Sequence, residues 1–259
     1  MKLNSPINKA IHSKRKVSTT SYVIFFFFMI VFVYFSHFGN YVLFFQHNQS
    51  LFIFSPEYLD TYLLKPGGFL EFTGKFLTQF YSNSVLGAFL LAIILTIPCL
   101  LLSKIYHVFH PDLSLPPFLL LIPSCFLLFM QTYYYHSMEY NLGILLVILF
   151  FLISVVVSKQ YNPFTVLILV PVIYYLIGGY SWIYLVVYLV YILLYEKDKK
   201  KYFYGLLLLC TALFSLIIFK EVLFSQPYDQ LIRYPLPSIK VIRYRIFFFI
   251  AVGYIIFFS

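Results

Sequence analysis

The chain has 259 residues, of which 62% are hydrophobic and 10% are charged. Residues 22–45 contain no Asp, Glu, Lys or Arg, and water-soluble domains rarely use an apolar run of that length. The formal net charge of +9 does not indicate nucleic-acid binding, because many of the basic residues flank apolar runs. The three cysteines each lie within an apolar run, so we expect neither a disulfide nor a metal-binding set: Cys99, Cys125 and Cys210.

The N-terminal segment predicts how the chain enters a membrane. Residues 1–21 carry lysine and arginine but no acid. The apolar run that follows is about twice as long as the core of a signal peptide and is followed by no small-residue cleavage site. About 20 helical residues cross the ~30 Å hydrocarbon core of a bilayer. We therefore predict an uncleaved first span over residues 22–45, with the N-terminus in the cytoplasm.

Seven more apolar runs are predicted to cross the membrane. Gly178 and Gly179 interrupt one run between Pro163 and Tyr195, and two glycines in mid-run favour a tight reversal, so we divide it into two helices. The fold class is therefore all-α: a polytopic transmembrane helix bundle of about eight spans, forming a single integral membrane domain over residues 1–259. The predicted spans are 22–45, 85–102, 117–134, 142–158, 163–177, 180–195, 202–219 and 246–259.

A long segment, residues 46–84, separates the first two predicted spans. Four aromatic residues in it recur every three or four positions: Phe69, Phe72, Phe76 and Phe80. Glu71 and Lys75 lie on another side of the same helix. We predict an amphipathic helix over about 69–82 that lies flat on the outer membrane surface, because its apolar face covers only part of its circumference.

The distribution of basic residues sets the predicted orientation. With a cytoplasmic N-terminus, eleven basic residues before residue 220 fall inside and two fall outside, in agreement with the positive-inside rule. The inside set is Lys2, Lys9, Lys14, Arg15, Lys16, Lys104, Lys159, Lys197, Lys199, Lys200 and Lys201; the outside set is Lys65 and Lys75.

The segment 220–245 departs from that rule, because its basic residues would be external: Lys220, Arg233, Lys240, Arg243 and Arg245. Either a span is miscounted and the segment is an ordinary cytoplasmic flank, or the last four of these residues bind an anionic lipid head group. Arginine suits phosphate because its planar guanidinium can donate two parallel hydrogen bonds.

The stretch KPGGFLEFTGKFLTQFYSNSVLGA, residues 65–88, resembles a family of multi-span inner-membrane proteins from Bacteroidota. In that family a first span, a PGG-led amphipathic segment and further spans follow in the same order. The resemblance implies a bacterial inner-membrane location but supplies no catalytic residues. Family members look longer, with a soluble portion after the spans, so we expect this chain to be a fragment or a truncated product. A looser resemblance, of architecture only, is to polytopic glycosyltransferases that use lipid-linked sugars.

Glycosyl transfer from a polyprenyl-phosphate donor needs a carboxylate base, so the acids predicted to be external are candidates for catalysis. Asp60 is the best of them, with Glu57 one turn away on any local helix; the alternative is a solvated surface pair. His136 and Glu139 are three residues apart and could relay protons or bind a cation. The alternative for them is an interfacial belt formed with the neighbouring tyrosines.

Other polar groups carry less information. Tyr34, His37 and Tyr41 share one face of the first span, which we expect to point into the bundle and either line a substrate path or hydrogen-bond to other helices. No metal site is predicted. The loop after the second span contains His107, His110 and Asp112, but Pro111 interrupts any helix there and no further ligand is near. No cofactor is indicated.

Three functional classes remain open. The first, which we favour, is an enzyme of cell-envelope biogenesis that acts on a lipid-linked sugar, in contact with membrane lipids and a polyprenyl-phosphate-linked substrate. The second is a transporter, for which glycine-broken or charged mid-span helices are expected. The third is a non-catalytic membrane anchor of a longer protein.

Overall fold

The computed structural model describes residues 19–109, 116–160, 163–195, 201–224, 226–237 and 241–258. Within these ranges the chain forms twelve α-helices and no β-strand, so the predicted all-α fold class is confirmed. The helices are α1 (Thr19–Val33), α2 (Asn40–Gln49), α3 (Pro56–Leu63), α4 (Gly68–Thr78), α5 (Ser84–Phe109), α6 (Pro117–Gln131), α7 (Met138–Gln160), α8 (Pro163–Ile177), α9 (Tyr180–Tyr195), α10 (Lys201–Val222), α11 (Tyr228–Arg233) and α12 (Ile242–Phe258). A π-helical turn (Tyr34–Phe38) joins α1 to α2 through Gly39, and a 3₁₀ turn (Gln79–Ser82) follows α4.

Four helical stretches are long and apolar enough to cross a bilayer: α1 with its π-helical turn, α5, α7 and α10. Three further helices are apolar but shorter: α6, α8 and α9. Helices satisfy their own backbone hydrogen bonds, which lipid cannot do for them. The chain is an integral membrane protein, whereas the count of eight spans stays a prediction.

The long helices run alternately up and down, so their connections gather at two ends of the bundle. We call distal the end that holds residues 50–83, 132–137, 178–179, 223–224 and 226–237, and proximal the opposite end. At the distal end the Gln46 side chain donates a hydrogen bond to the carbonyl of Tyr133 (3.3 Å). At the proximal end Lys159 Nζ donates to the carbonyl of Val108 (2.9 Å). The helix order places α3 and α4, between the first two long helices, at the distal end.

Three distal loops meet at glycines. Gly67 and Gly178 have φ values of +65° and +55°, a left-handed conformation that glycine adopts without strain. A Cβ atom on Gly67 would lie 2.9 Å from the backbone nitrogen of Gly178 and 2.7 Å from Cδ of Pro235. Gly179 donates its N–H to the carbonyl of Tyr234 (2.7 Å). Residues 232–236, after α10, therefore lie at the same end as residue 67. The side of the membrane on which the basic segment lies stays a prediction.

The first helix corrects one expectation. Val31 and Phe35 are fully buried in the bundle, while Tyr34 and Tyr41 are exposed (37% and 52%) and His37 lies on the same exposed side. The expected inward face of Tyr34, His37 and Tyr41 is therefore wrong. Because α1 is apolar all round, its inward face is decided by shape: its phenylalanine rings pack edge-on against α5.

Candidate functional site at the distal end

Helix α4 turns its small residues, not its phenylalanines, toward the bundle. Its buried residues are Gly68, Leu70, Gly74 and Thr78, whereas Phe69 and Phe76 are 47% and 41% exposed, and Phe80 in the following 3₁₀ turn is 39% exposed. A Cβ atom on Gly74 would lie only 3.0 Å from the backbone nitrogen of Glu139. The glycine thus lets α4 rest directly on the first turn of α7. The amphipathic pattern alone would leave Glu71 and Lys75 facing water, but only 13% and 31% of these side chains are exposed.

Glu71 and Lys75 form an ion pair with aromatic support. Lys75 Nζ lies 2.8 Å from Glu71 Oε1 and also donates to the hydroxyl of Tyr62 (2.8 Å). Burial acts to lower the pKa of Lys75, but the hydrogen bonds to Glu71 and Tyr62 outweigh it, so the net pKa shift is upward. The Tyr62 hydroxyl donates to Tyr58, whose pKa is raised to about 12, first by burial and then by Tyr62. The lysine is therefore charged and both tyrosines are held in place around it.

Two cavities open on either side of this pair. Cavity A, of about 280 Å³, lies between α2, α4 and the loop 132–137, and Lys75 and His136 line it. Cavity B, of about 510 Å³, lies toward α11, and Lys65 and Arg233 line it. Glu71 and Glu139 line both cavities. These two carboxyl groups thus form a wall that the two cavities share.

A chain of buried hydrogen bonds underlies cavity A. The carbonyl of Tyr133 can only accept, so Gln46 donates to it through Nε2 and uses Oε1 to accept from Gln131 Nε2 (2.8 Å). Gln131 Oε1 then accepts from Asn141 Nδ2 (2.7 Å), which leaves Asn141 Oδ1 to accept from His136 Nε2 (2.9 Å). The alternation of donors and acceptors along this hydrogen-bond chain thus assigns the proton of His136 to Nε2 and leaves Nδ1 as an acceptor.

The members of this amide chain are deeply buried, with Gln46 the most exposed at 7%. Burial lowers the pKa of His136 to about 4, and the hydrogen bond with Asn141 offsets only part of that effect. The imidazole is therefore neutral at physiological pH. It can accept a proton or a hydrogen bond but cannot serve as a standing positive charge.

Several buried polar atoms at the cavities have no partner among the described residues. Glu71 Oε2 and Ser50 Oγ belong to residues that line cavity A, and Gln226 Oε1 belongs to a residue that lines cavity B. A buried polar atom left without a hydrogen bond costs about 1–3 kcal/mol. Two of these three atoms can only accept, so a bound molecule that offers hydrogen-bond donors would satisfy them.

The structure separates the two candidate pairs that were taken from the sequence. His136 and Glu139 both line cavity A. Glu57 and Asp60 lie on the exposed side of α3 and line neither cavity A nor cavity B. The pKa of Glu57 is lowered by a hydrogen bond from its own backbone and by Ser55, as is usual for an acid in the first turn of a helix.

The basic residues proposed for head-group binding are dispersed. Arg233 lines cavity B and forms an exposed ion pair with Asp229 (3.4 Å). Arg243 and Arg245 are exposed in the first turn of α12, and Arg243 lies over the ring of Tyr244, with 4.9 Å from its Cζ to the ring centroid. Lys240 lies outside the described residues. No group of three or more His, Cys, Asp or Glu side chains arranged for a metal ion occurs in the part of the chain that the structure describes.

Sequence reasoning missed the contribution of Lys75, Gln131 and Asn141, and treated Glu71 only as one acid of the loop. Gly74 could have indicated that Glu71 faces the bundle, because a glycine among bulky residues allows a close helix contact. Gln131 and Asn141 lie at the distal ends of α6 and α7, where polar residues are ordinary. Only their convergence in space distinguishes them.

Comparison with known proteins gives a family but no function. No curated protein and no solved structure matches the chain. Residues 15–259, nearly the whole chain, match the family described as "Family of unknown function (DUF6057)". A match of that extent covers the distal site and all twelve helices. The chain is therefore a member of the DUF6057 family, a family of unknown function.

Proposed function

We propose that the protein is a membrane glycosyltransferase that uses a sugar linked to a polyprenyl phosphate and acts at the outer face of a bacterial inner membrane, in envelope biogenesis. The observation that carries the proposal is the wall formed by Glu71 and Glu139 between the two cavities. Two carboxyl groups beside two cations, Lys65 and Arg233 of cavity B, supply the parts that such a transfer needs: a base for the attacking hydroxyl and positive charge for the leaving phosphate.

The roles follow from the contacts of each carboxylate. Glu71 is committed to Lys75 at 2.8 Å. The ion pairs within the described residues are Lys75–Glu71 and Arg233–Asp229, so Glu139 has no cationic partner there. We assign Glu139 as the base, because a carboxylate that is not held by a cation is free to take a proton. Glu71 orients the hydroxyl or the sugar ring beside it.

The reaction balances with these residues alone. The acceptor hydroxyl attacks the anomeric carbon of the donor sugar, and its proton passes to the carboxylate of Glu139. The bond from the anomeric carbon to the phosphate oxygen breaks, and its electron pair leaves with the polyprenyl phosphate. Lys65 and Arg233 in cavity B offset the charge that the phosphate gains. Arg233 is available for this, because its ion pair with Asp229 is about three quarters exposed and therefore weak.

The position of the charges supports an enzyme over an ion-coupled transporter. Among the described residues, the charged side chains lie in distal loops or within about a turn and a half of a helix end. Lys104, the deepest along its helix, is five residues from the end of α5. A transporter is expected to place charged or unwound groups near the bilayer midplane. The cavities instead cluster the ionisable groups at one end.

The proposal is tested by reconstituting the protein in liposomes with radiolabelled hexoses linked to polyprenyl phosphate and a lipid extract as acceptor. Release of free polyprenyl phosphate and transfer of label should depend on the protein. Glu139→Gln should lower the rate by about 10²–10⁴, the usual contribution of a general base. Glu221→Gln, an exposed carboxylate at the distal end of α10, is the matched control and should retain wild-type turnover. Equal rates in both variants, or no transfer by the wild type, would refute the proposal.

A further inference from the structure

We infer that cavity A is a subsite for one neutral, hydroxyl-bearing ring, a single sugar residue, which donates hydrogen bonds to Glu71 Oε2 and to the imidazole of His136. The inference rests on the proposed function in one respect only: that this ring is the acceptor of the transfer. The binding itself follows from which hydrogen-bonding atoms the cavity presents.

The direction of the hydrogen bonds beneath cavity A favours a ligand that donates. In the amide chain that begins at the Tyr133 carbonyl, Gln46, Gln131 and Asn141 each direct one amide N–H to the preceding acceptor. It ends by consuming the one ring proton of His136. What His136 has left is an acceptor nitrogen. The same holds for Glu71, whose Oε1 accepts from Lys75 and whose Oε2 is buried without a partner. Both groups therefore call for a donor.

The charges that line cavity A favour a neutral ligand. Lys75 is already neutralised by Glu71, His136 is neutral, and Glu139 adds a further carboxyl group to the lining. A phosphate or other anion would meet two carboxyl groups and no unpaired cation in cavity A. Cavity B shares both carboxyl groups and adds Asp229, but two cations also line it, Lys65 and Arg233. The cavities thus divide the substrate: the neutral hydroxyl-bearing part in A and the phosphate in B.

The size and the lining of cavity A match a single ring. Cavity A measures about 280 Å³, just below the usual range of about 300–1,000 Å³ for small-molecule sites, so it suits one ring and not a longer chain. Tyr134 and Tyr135 line it beside polar residues. Both tyrosines contact the ring of Phe45, at 5.2 and 5.5 Å between centroids. An aromatic wall that is held in place offers an apolar face for the carbon side of a sugar ring.

The test uses the wild-type protein in lipid nanodiscs and saturation-transfer difference NMR with methyl glycosides of common hexoses and N-acetylhexosamines. At about 10 mM, a ligand of millimolar affinity approaches saturation. At least one glycoside should show saturation transfer, and methyl phosphate and methylammonium should not displace it. Preferential binding of methylammonium would mean that the carboxyl groups select a cation, and no binding by any glycoside would mean that the cavity takes no sugar; either outcome overturns the inference.

Two variants locate the site. Glu71→Gln should weaken glycoside binding at least tenfold. The carboxylate has two acceptor oxygens, one for Lys75 and one for the ligand, whereas the amide has only one acceptor oxygen and no negative charge. Thr73→Val on the same helix is the control, since its hydroxyl is bonded to its own helix at the Phe69 carbonyl and does not line cavity A. Equal loss in both would indicate damage to α4 and reject the assignment.

A second readout does not depend on stability. In ¹⁵N-histidine NMR, with the His136 signal identified by its absence in His136→Gln, the imidazole should carry its proton on Nε2 at pH 7. The opposite tautomer, or an imidazolium, would contradict the assignment. Glycoside binding without any transfer would refute the proposed function and leave this inference intact. If transfer occurs and Glu71→Gln leaves the KM for the acceptor unchanged, the proposed function stands and the assignment of cavity A to the acceptor ring is refuted.

Discussion

The junction of the three distal loops at Gly67 gives the sharpest prediction of stability. In Gly67→Ala the new Cβ would lie 2.7 Å from Cδ of Pro235 and 2.9 Å from the backbone nitrogen of Gly178. The φ of +65° adds the penalty of an L-residue in the left-handed region, roughly 1–2 kcal/mol. Forcing extra atoms into a packed site adds about 1–3 kcal/mol. We expect the free energy of unfolding to fall by roughly 2–5 kcal/mol.

The assay is unfolding by SDS in mixed micelles, followed by the helical circular-dichroism signal. Gly205→Ala is the matched control, because a Cβ at that helical position would meet no atom within 4 Å beyond the nearby backbone of its own helix, and its φ is not positive. It should be as stable as wild type or more stable by up to about 1 kcal/mol. Pro235 lines cavity B, so the Gly67 variant should also lose activity more than the control. Equal stability of the two variants would refute the reasoning on the junction.

Three other predictions concern catalysis, orientation and pH. Asp60→Asn should leave the rate of transfer unchanged if Glu71 and Glu139 form the site. If Asp60 is the base, as the sequence suggested, the variant should be inactive in the same rate assay. In a protein without native cysteines, an impermeant thiol reagent added outside cells should label the Glu221→Cys variant but not the Lys199→Cys variant. Labelling of Lys199→Cys would contradict the predicted orientation. Because His136 has a pKa of about 4 instead of its ordinary 6.5, only the unfolded state takes up its proton as the pH falls between these values. The wild type should therefore lose roughly 3 kcal/mol over that interval that His136→Gln does not lose.

The contrast between Asp60 and Glu139 shows why a site was hard to predict. Both are acids in polar segments, and nothing in spacing separates them. The difference is that α4, docked through Gly74, brings Glu71 against the first turn of α7. That contact joins residues 68 positions apart in the chain, so no local pattern reports it. Asp60 remains on the exposed side of α3.

The amide chain beneath cavity A also depends on residues that are far apart in the sequence, so no local pattern predicts it. Gln46, Gln131 and Asn141 come from three different helices and are ordinary polar residues at helix ends. Their hydrogen bonds fix the tautomer of His136, which a sequence reader could name as a candidate but could not describe chemically. The pair His136 and Glu139 was found from i, i+3 spacing on one helix. In the structure His136 precedes α7 and Glu139 lies in its first turn, so both reach cavity A by different means.

By itself the sequence determined the fold class and the membrane character of this protein, because long apolar runs allow only structures that satisfy their own backbone hydrogen bonds. It also indicated the reversal at Gly178 and Gly179, since paired glycines break a helix. Tertiary structure alone decided which face of α1 and α4 meets the bundle. Helix α1 is apolar all round, so the packing of its rings against α5 determines its rotation. Helix α4 is amphipathic, but its close contact at Gly74 turns Glu71 and Lys75 toward the distal cavities, which no local pattern predicts.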